Sequence, residues 1–193
     1  MNKKTQLLPL MKTFNDNIKE AIYTIGHSSH PIDMFIRLLT NYNIEVLVDV
    51  RSNPYSKYSP QFDMKNIKKA IKSSRIKYLY LGKELGGKPK GKDFYDLNGN
   101  INYSLIADSQ LFHEGISRLE KGLKKYRVAI MCSEENPAIC HRWLLVGRAL
   151  VAKGINVNHI RGNGDMETQD QLETHNENEG FIPKQSQLSL FEG

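Results

Sequence analysis

The feature that most constrains the fold is an alternation of short β-favouring runs and longer amphipathic segments. The run at 45–50 is almost continuously apolar, as is typical of a strand buried on both faces. Strands separated by helices pair in parallel, because each connection must carry the chain back across the sheet. The predicted strands are 21–25, 45–50, 76–81, 127–131 and 155–160, and the predicted helices are 31–41, 63–73, 104–121 and 140–153. We therefore predict a three-layer α/β fold, with a mostly parallel five-stranded sheet and helices on both faces.

The alternation covers only part of the chain, and this divides the sequence into three regions. Residues 1–19 carry no strong pattern and are predicted to form an N-terminal arm. Residues 20–162 contain every predicted element and form the α/β domain. From 163 to 193 the chain is rich in Asn, Glu and Gln, a composition typical of disordered segments, so we predict a disordered tail.

The charge of the chain indicates a polyanionic partner. The formal net charge is +6, and between residues 65 and 92 Glu84 is the only acid among ten Lys and Arg residues. This pattern favours DNA or another nucleic acid. Two cysteines do not make a disulfide framework, and no stretch has the length needed to cross a bilayer or to act as a signal peptide. We therefore expect a cytoplasmic protein with no membrane partner.

Polar side chains suited to chemistry follow every predicted strand, where ligands bind in folds of this class. The candidates for acid–base or nucleophilic chemistry are His27, Asp49, Glu84, Cys132, Glu134 and His141. The candidates for holding a substrate or an anion are Ser28, Arg51, Lys83, Lys88 and Arg142. His159 and Arg161 close the fifth strand. This convergence predicts a site at one edge of the sheet.

Each of these residues also has a structural interpretation. A guanidinium group suits phosphate, but Arg142 also has a purely structural alternative, a pair with Asp49. Cys132 is a nucleophile only as a thiolate, and an unreactive buried thiol is an equal alternative. The phosphatase and rhodanese pattern places an arginine six positions after the cysteine, whereas Arg142 lies ten positions after Cys132. That mechanism therefore does not transfer.

A zinc site is the alternative to a site without a cofactor. Cys132, Cys140 and His141, joined by His27 or His159, have suitable side chains. Their spacing, however, matches none of the common zinc frameworks, and neighbouring residues of a helix point in different directions. We therefore expect no metal and no other cofactor.

Five motifs together resemble domain-of-unknown-function family 488 over about residues 21–161. They are Thr24-Ile25-Gly26-His27-Ser28, Asp49-Val50-Arg51-Ser52 with Pro54 and Ser56, Pro60-x-Phe62, Leu81-Gly82-x-Glu84-Leu85-Gly86-Gly87, and Cys132-x-Glu134-x-x-Pro137-x-x-Cys140-His141-Arg142. The resemblance implies a bacterial or archaeal α/β domain without a settled activity.

The end of the tail carries an apolar cluster that its polar surroundings do not explain. Its partner-binding candidates are Gln187, Leu188, Leu190 and Phe191. The pentapeptide 187–191 resembles the Gln-Leu-(Ser/Asp)-Leu-Phe peptide by which bacterial replication and repair proteins dock on the sliding clamp. The resemblance implies the clamp as a partner. The alternative is that Leu190 and Phe191 fold back on their own domain.

Three hypotheses of function follow. The first is an enzyme of DNA repair or nucleotide processing, a hydrolase or lyase that the tail recruits to the clamp. The second is a non-catalytic adaptor that binds DNA through its basic segment and the clamp through its tail. The third is a small-molecule enzyme whose tail is incidental.

Overall fold

The structure, a computed structural model, describes residues 21–178 and centres on one six-stranded sheet. The strands are β1 Ala21–Gly26, β2 Val46–Asp49, β3 Lys77–Tyr80, β4 Val128–Cys132, β5 Asn156–Ile160 and β6 Met166–Thr168. Their order is β3-β2-β4-β1-β5-β6. The first five strands are parallel, and β6 pairs antiparallel with β5. The predicted mostly parallel α/β sheet is confirmed, and one strand is added to it. The predicted arm at 1–19 lies outside the described residues.

All four predicted helical segments contain helix, and one of them is divided. The helices are α1 Ile32–Asn41, α2 Met64–Lys72, α3 Gly82–Leu85, α4 Tyr103–Ala107, α5 Gln110–Leu123, α6 Arg148–Val151 and α7 Gln169–Asn178. Two of them, α3 and α7, were not predicted. The predicted helix at 104–121 is two helices, because Ser109 has extended backbone and caps α5. Its Oγ accepts a hydrogen bond from the Phe112 N–H at 3.3 Å.

Alternate side chains of the central strands point into two separate cores. In β4, Val128, Ile130 and Cys132 belong to one core, whereas Ala129 and Met131 belong to the other. The first core is covered by side chains from α3 to α7, and the second by α1 and α2. The sheet is therefore the middle of three layers, as predicted.

The segment after β4 departs from a regular helix at the position that matters most for the site. Pro137–Ile139 is a 3-10 turn, Cys140 has extended backbone, and Arg142–Gly147 forms a π-helix before α6 begins. The predicted helix at 140–153 therefore starts later and with wider turns. Gly154 ends it with a φ of 80°, in the left-handed region expected at that position.

Residues 166–178 are ordered, although the sequence predicted a disordered tail from 163 onward. The segment forms β6 and α7, and Leu172 is buried in the first core. Polar contacts also hold it, since His159 Nε2 donates to Gln169 Oε1 at 3.2 Å. A composition-based prediction fails here because hydrogen bonds to β5, rather than many apolar residues, order the segment. The docking peptide at 187–191 lies outside the described residues. Within residues 21–178, no helix combines the length and the apolar character that crossing a membrane requires.

Candidate functional site

A crevice of about 480 Å³ opens at the carboxyl edge of β2 and β4. The register aligns the ends of the central strands, because Asp49 pairs with Met131 and Gly26 pairs with Cys132. The walls of the crevice come from the loops after β2, β3 and β4 and from the start of α4. The lining residues are Arg51, Ser52, Asn53, Gly87, Lys88, Lys90, Ile101, Tyr103, Cys132, Ser133, Glu134, Ile139, Cys140 and His141.

Two thiols and one imidazole meet in the wall of this crevice. His141 Nδ1 lies 3.7 Å from Cys132 Sγ and 3.9 Å from Cys140 Sγ. All three ligand atoms lie within 4.8 Å of one another, and both cysteines are free and buried. The objection that Cys140 and His141 diverge on a helix was wrong. Cys140 has φ −116° and ψ 138°, so it precedes the helix and its side chain turns toward that of His141.

The far side of the His141 ring is held by backbone. Its Nε2 lies 2.9 Å from the Val50 carbonyl oxygen, an acceptor, so Nε2 carries the proton and Nδ1 keeps its lone pair. A Cβ atom at Gly87 would lie 2.6 Å from His141 Cγ, so only glycine lets the β3 loop approach the ring this closely. The unprotonated nitrogen is therefore the one that faces the two sulfur atoms.

The two thiols share their protons unequally. The pKa of Cys140 is lowered, first because the Cys132 thiol hydrogen-bonds to it and further by the positive charge of Arg142. The pKa of Cys132 is raised by the same hydrogen bond and by burial. Cys132 therefore holds its proton more firmly than Cys140 does.

Tyr103 adds a hydroxyl group to the same crevice. Burial, with a further contribution from the neighbouring Cys140 and Cys132, raises the pKa of Tyr103 to about 12. The residue starts α4, behind Asn102, whose side chain caps the helix by accepting from the Ser104 N–H at 3.0 Å. A phenol that holds its proton this firmly suits a hydrogen-bond donor to an oxyanion.

A second polar network lies beside the cluster, around Arg51. Its guanidinium donates to Asp49 through Nε at 2.9 Å and Nη2 at 2.6 Å, and Nη2 also donates to the Phe62 carbonyl at 2.8 Å. Nη1 donates to His27 Nε2 at 3.0 Å, and His27 Nδ1 donates to the Ser28 carbonyl at 2.8 Å. Burial, with a further contribution from Arg51, lowers the pKa of His27 to about 4. His27 is therefore neutral at pH 7 and uses both ring nitrogens within the protein.

Arg142 is also engaged by the protein itself. Its side chain is fully buried, and its two terminal nitrogens donate to the carbonyl oxygens of Glu134 and Glu135. Its Nε donates to Thr24 Oγ1 at 3.3 Å. The guanidinium thus shapes the loop after β4. Asp49 pairs with Arg51 rather than with Arg142.

The remaining predicted residues divide between the crevice and the surrounding loops. Lys88 and Glu134 line the crevice. Glu84 forms an ion pair with Arg118 of α5, and Lys83 is exposed on α3; neither lines the crevice. Ser28 has a φ of 45° and joins the loops after β1 and β4, because its N–H donates to the Ser133 carbonyl at 2.8 Å.

Sequence reasoning missed several of the lining residues, Tyr103 and Lys90 among them, and it undervalued Cys140. Tyr103 and Lys90 were not selected, because neither directly follows a predicted strand. Cys140 was considered only as a metal ligand. Its place between Cys132 and His141 depends on the extended backbone before the π-helix, which periodicity does not reveal. Lys90 belongs to the Lys-rich segment, and that charge was the one signal available for it.

Comparison with known proteins assigns the family. The model of the family described as "Domain of unknown function DUF488" matches residues 31–149. The chain belongs to the DUF488 family. No match is found among curated proteins or among solved structures. The matched region of this DUF488 protein contains β2 to β4 and every residue that lines the crevice, including the Cys132, Cys140 and His141 cluster.

Proposed function

We propose that this DUF488 protein is an enzyme that hydrolyses or otherwise cleaves nucleic acid or a related phosphorylated substrate in the crevice. The observation that carries the proposal is the meeting of two thiols and an imidazole in a crevice whose rim bears lysines. Thiolate and neutral imidazole are effective nucleophiles and bases near neutral pH. We assign the reactive centre to Cys132, Cys140 and His141, with Tyr103 as the donor to developing negative charge.

Recognition of an anionic substrate is assigned to the lysines rather than to the arginines. Lys88 and Lys90 line the crevice and are exposed, so their ammonium groups are accessible from solvent. Arg51 and Arg142, in contrast, already donate to acceptors of the protein. Helix α2 also carries exposed lysines: Lys65, Lys68, Lys69 and Lys72.

Exposed tyrosines near the crevice support a nucleic-acid substrate over a free nucleotide. Tyr55 and Tyr58 follow the lining residues Ser52 and Asn53, and their side chains are 63% and 90% exposed. Exposed aromatic rings beside a basic groove are platforms on which bases stack. Tyr80 has a structural role instead, because its hydroxyl donates to the Ser52 carbonyl at 3.2 Å.

Turnover is tested with a panel of single-stranded DNA, DNA with an abasic site, RNA and free nucleotides. We expect at least one class to be cleaved, and Cys140→Ser to lower that rate by about 100-fold or more because serine is not ionised at neutral pH. If no member of the panel is cleaved while DNA still binds, the adaptor hypothesis replaces the enzyme.

Binding is tested by the salt dependence of the affinity for single-stranded DNA. Lys88→Gln/Lys90→Gln should reduce the slope of log K against log salt by roughly 1.4, since each lost phosphate contact contributes about 0.7. The matched control is Lys124→Gln/Lys125→Gln, which removes the same charge near the start of β4, at the opposite edge of the sheet. Equal slopes of log K against log salt for the two double variants would show that the crevice is not part of the DNA-binding surface.

Recruitment to the sliding clamp is part of the same proposal. It is supported by the residue-by-residue resemblance of 187–191 to clamp-docking peptides. A cytoplasmic location goes with it, because DNA and a reducing environment for both free cysteines are found there. In the full chain, Leu190→Ala/Phe191→Ala should abolish clamp binding in a titration and leave DNA affinity unchanged. Phe181→Ala is the control. Unchanged clamp binding in the double variant would contradict recruitment through residues 187–191.

A further inference from the structure

Cys132, Cys140 and His141 have the spacing of a metal site. In a tetrahedral zinc site, Zn–S bonds of about 2.3 Å and Zn–N bonds of about 2.0–2.1 Å place sulfur and nitrogen about 3.6 Å apart. The corresponding distances here are 3.7 Å for Cys132 and 3.9 Å for Cys140. Both sulfur–nitrogen distances are thus within a few tenths of an ångström of the tetrahedral value, and all three ligand atoms lie within 4.8 Å of one another.

The orientation of His141 is the one that a metal ligand requires. A coordinating histidine donates its other ring N–H to a carbonyl or carboxylate, and this fixes the lone pair toward the metal. The Val50 carbonyl accepts from Nε2 at 2.9 Å, while Nδ1 faces both sulfur atoms. The three side chains are thus aimed at one point by backbone that belongs to three segments, the end of β2, the end of β4 and the turn before the π-helix.

The donor set also favours zinc at this point. Cys132 and Cys140 are both buried and free, and sulfur with imidazole is a donor set that suits zinc. Calcium and magnesium prefer oxygen ligands, which this group lacks.

We propose that Cys132, Cys140 and His141 bind one zinc ion with its fourth position open to the crevice. Among residues 21–178, no fourth Cys, His, Asp or Glu joins this group. All three ligands line the crevice, so the remaining position is accessible to water or to a substrate oxygen. Three protein ligands with an open position are typical of catalytic rather than structural zinc.

The inference deepens the proposed function, on which its catalytic part rests, whereas metal binding is measurable without a substrate. With zinc bound, the two thiolates and the imidazole would serve as its ligands, and a zinc-bound water with a lowered pKa would be the nucleophile in their place. In hydrolysis, the water oxygen forms a bond to the substrate, the bond to the leaving group breaks, and the proton of the water passes to that group. The reaction class within the proposed function is therefore hydrolysis.

The experiment measures zinc binding to the full chain, purified under reducing conditions. We expect one zinc per chain in competition with a chromophoric chelator. Cobalt substitution should give a thiolate-to-metal charge-transfer band and the visible bands of tetrahedral cobalt. Cys132→Ser, Cys140→Ser and His141→Gln should each weaken zinc binding by about 100-fold or more, because each removes a ligand. The control is His113→Gln, on the exposed face of α5, which should bind as the unaltered protein does.

Protection of the thiols tests the same site without any substitution. Zinc should slow alkylation of both cysteines in the native chain, and a chelator should restore it. Unchanged zinc affinity in both serine variants would overturn the proposal, as would a Cys132–Cys140 disulfide that persists with zinc present under reducing conditions. Zinc binding without any turnover would leave this site in place and remove the proposed hydrolysis.

Discussion

Two polar groups lie side by side at the carboxyl edge of the sheet, and they differ in what their hydrogen bonds leave available. In the Arg51 network, Asp49, His27 and the guanidinium satisfy one another and nearby carbonyls. In the cysteine cluster, the hydrogen-bond partners of His141 Nδ1 within residues 21–178 are two sulfur atoms at 3.7 and 3.9 Å. A buried charge is stable only with polar partners, so the Arg51 network is the structural frame of the site: its groups hold one another and the surrounding loops in place. The second group keeps lone pairs that can react or bind a metal.

The comparison also explains why arginine is a poor guide to function in this chain. Arg51 and Arg142 are among the most buried polar residues, and a buried guanidinium is stable only where acceptors surround it. Both therefore organise the loops that carry the crevice. The exposed Lys88 and Lys90 keep their charge free for a partner.

The largest expected effect is on the Arg51 network. Asp49→Asn keeps the shape of the side chain but leaves the Arg51 charge buried without its ion-pair partner. The free energy of unfolding should fall by about 3–5 kcal/mol, measured by urea denaturation. A loss below about 1 kcal/mol would show that the network is not the frame of the site.

Stability should also depend on pH through His27 and His159. Burial lowers the pKa of each to about 4, whereas an unfolded histidine titrates near 6.5. Both are neutral in the folded protein, so the stability they support is complete above pH 6.5 and is lost as the pH falls toward 4. Each contributes at most about 3 kcal/mol to this loss. Urea denaturation between about pH 7.5 and 4 measures it, and His27→Gln should flatten the profile. An unchanged profile in that variant would contradict the assignment.

Removing the hydroxyl of Tyr103 should lower the reaction rate and leave the stability of the fold almost unchanged. Tyr103→Phe keeps the packing of the ring, so the free energy of unfolding should change by less than about 1 kcal/mol. The rate on the cleaved substrate should fall by about 100-fold, the usual contribution of a positioned proton donor. If the variant loses stability but keeps its reaction rate, the Tyr103 hydroxyl has a structural role and not a catalytic one.

The smallest effect is expected for Glu84→Gln. The pair of Glu84 with Arg118 lies near the surface, where the Arg118 side chain is 46% exposed and water screens the charges. The free energy of unfolding should fall by less than about 1 kcal/mol, measured in the same urea series as Asp49→Asn. A loss as large as that of Asp49→Asn would erase the distinction between buried and exposed ion pairs here.

The elements of the sheet could be predicted from the sequence because burial on both faces imposes an apolar run on each strand. The five parallel strands lie within about two residues of their predicted bounds at either end. The residues that follow the predicted strands also included three that line the crevice, Cys132, Glu134 and His141, because the carboxyl ends of parallel strands lie at one edge of the sheet. The same reasoning selected Glu84 and Lys83, which also follow a strand, β3, but do not line the crevice.

The α/β class, the DUF488 family and the edge of the sheet on which polar side chains gather all follow from the sequence. The five sequence motifs, the periodic spacing of apolar residues and the parallel direction of the strands are enough to predict them. Which of those side chains are free to react or to bind a partner depends on the tertiary structure. Whether Arg142 faces a ligand or a carbonyl, and whether Cys140 meets His141, depends on contacts between loops distant in sequence and on the turn before the π-helix. Such contacts produce no periodic pattern in the sequence, because they depend on positions in space and not on the spacing of residues along the chain.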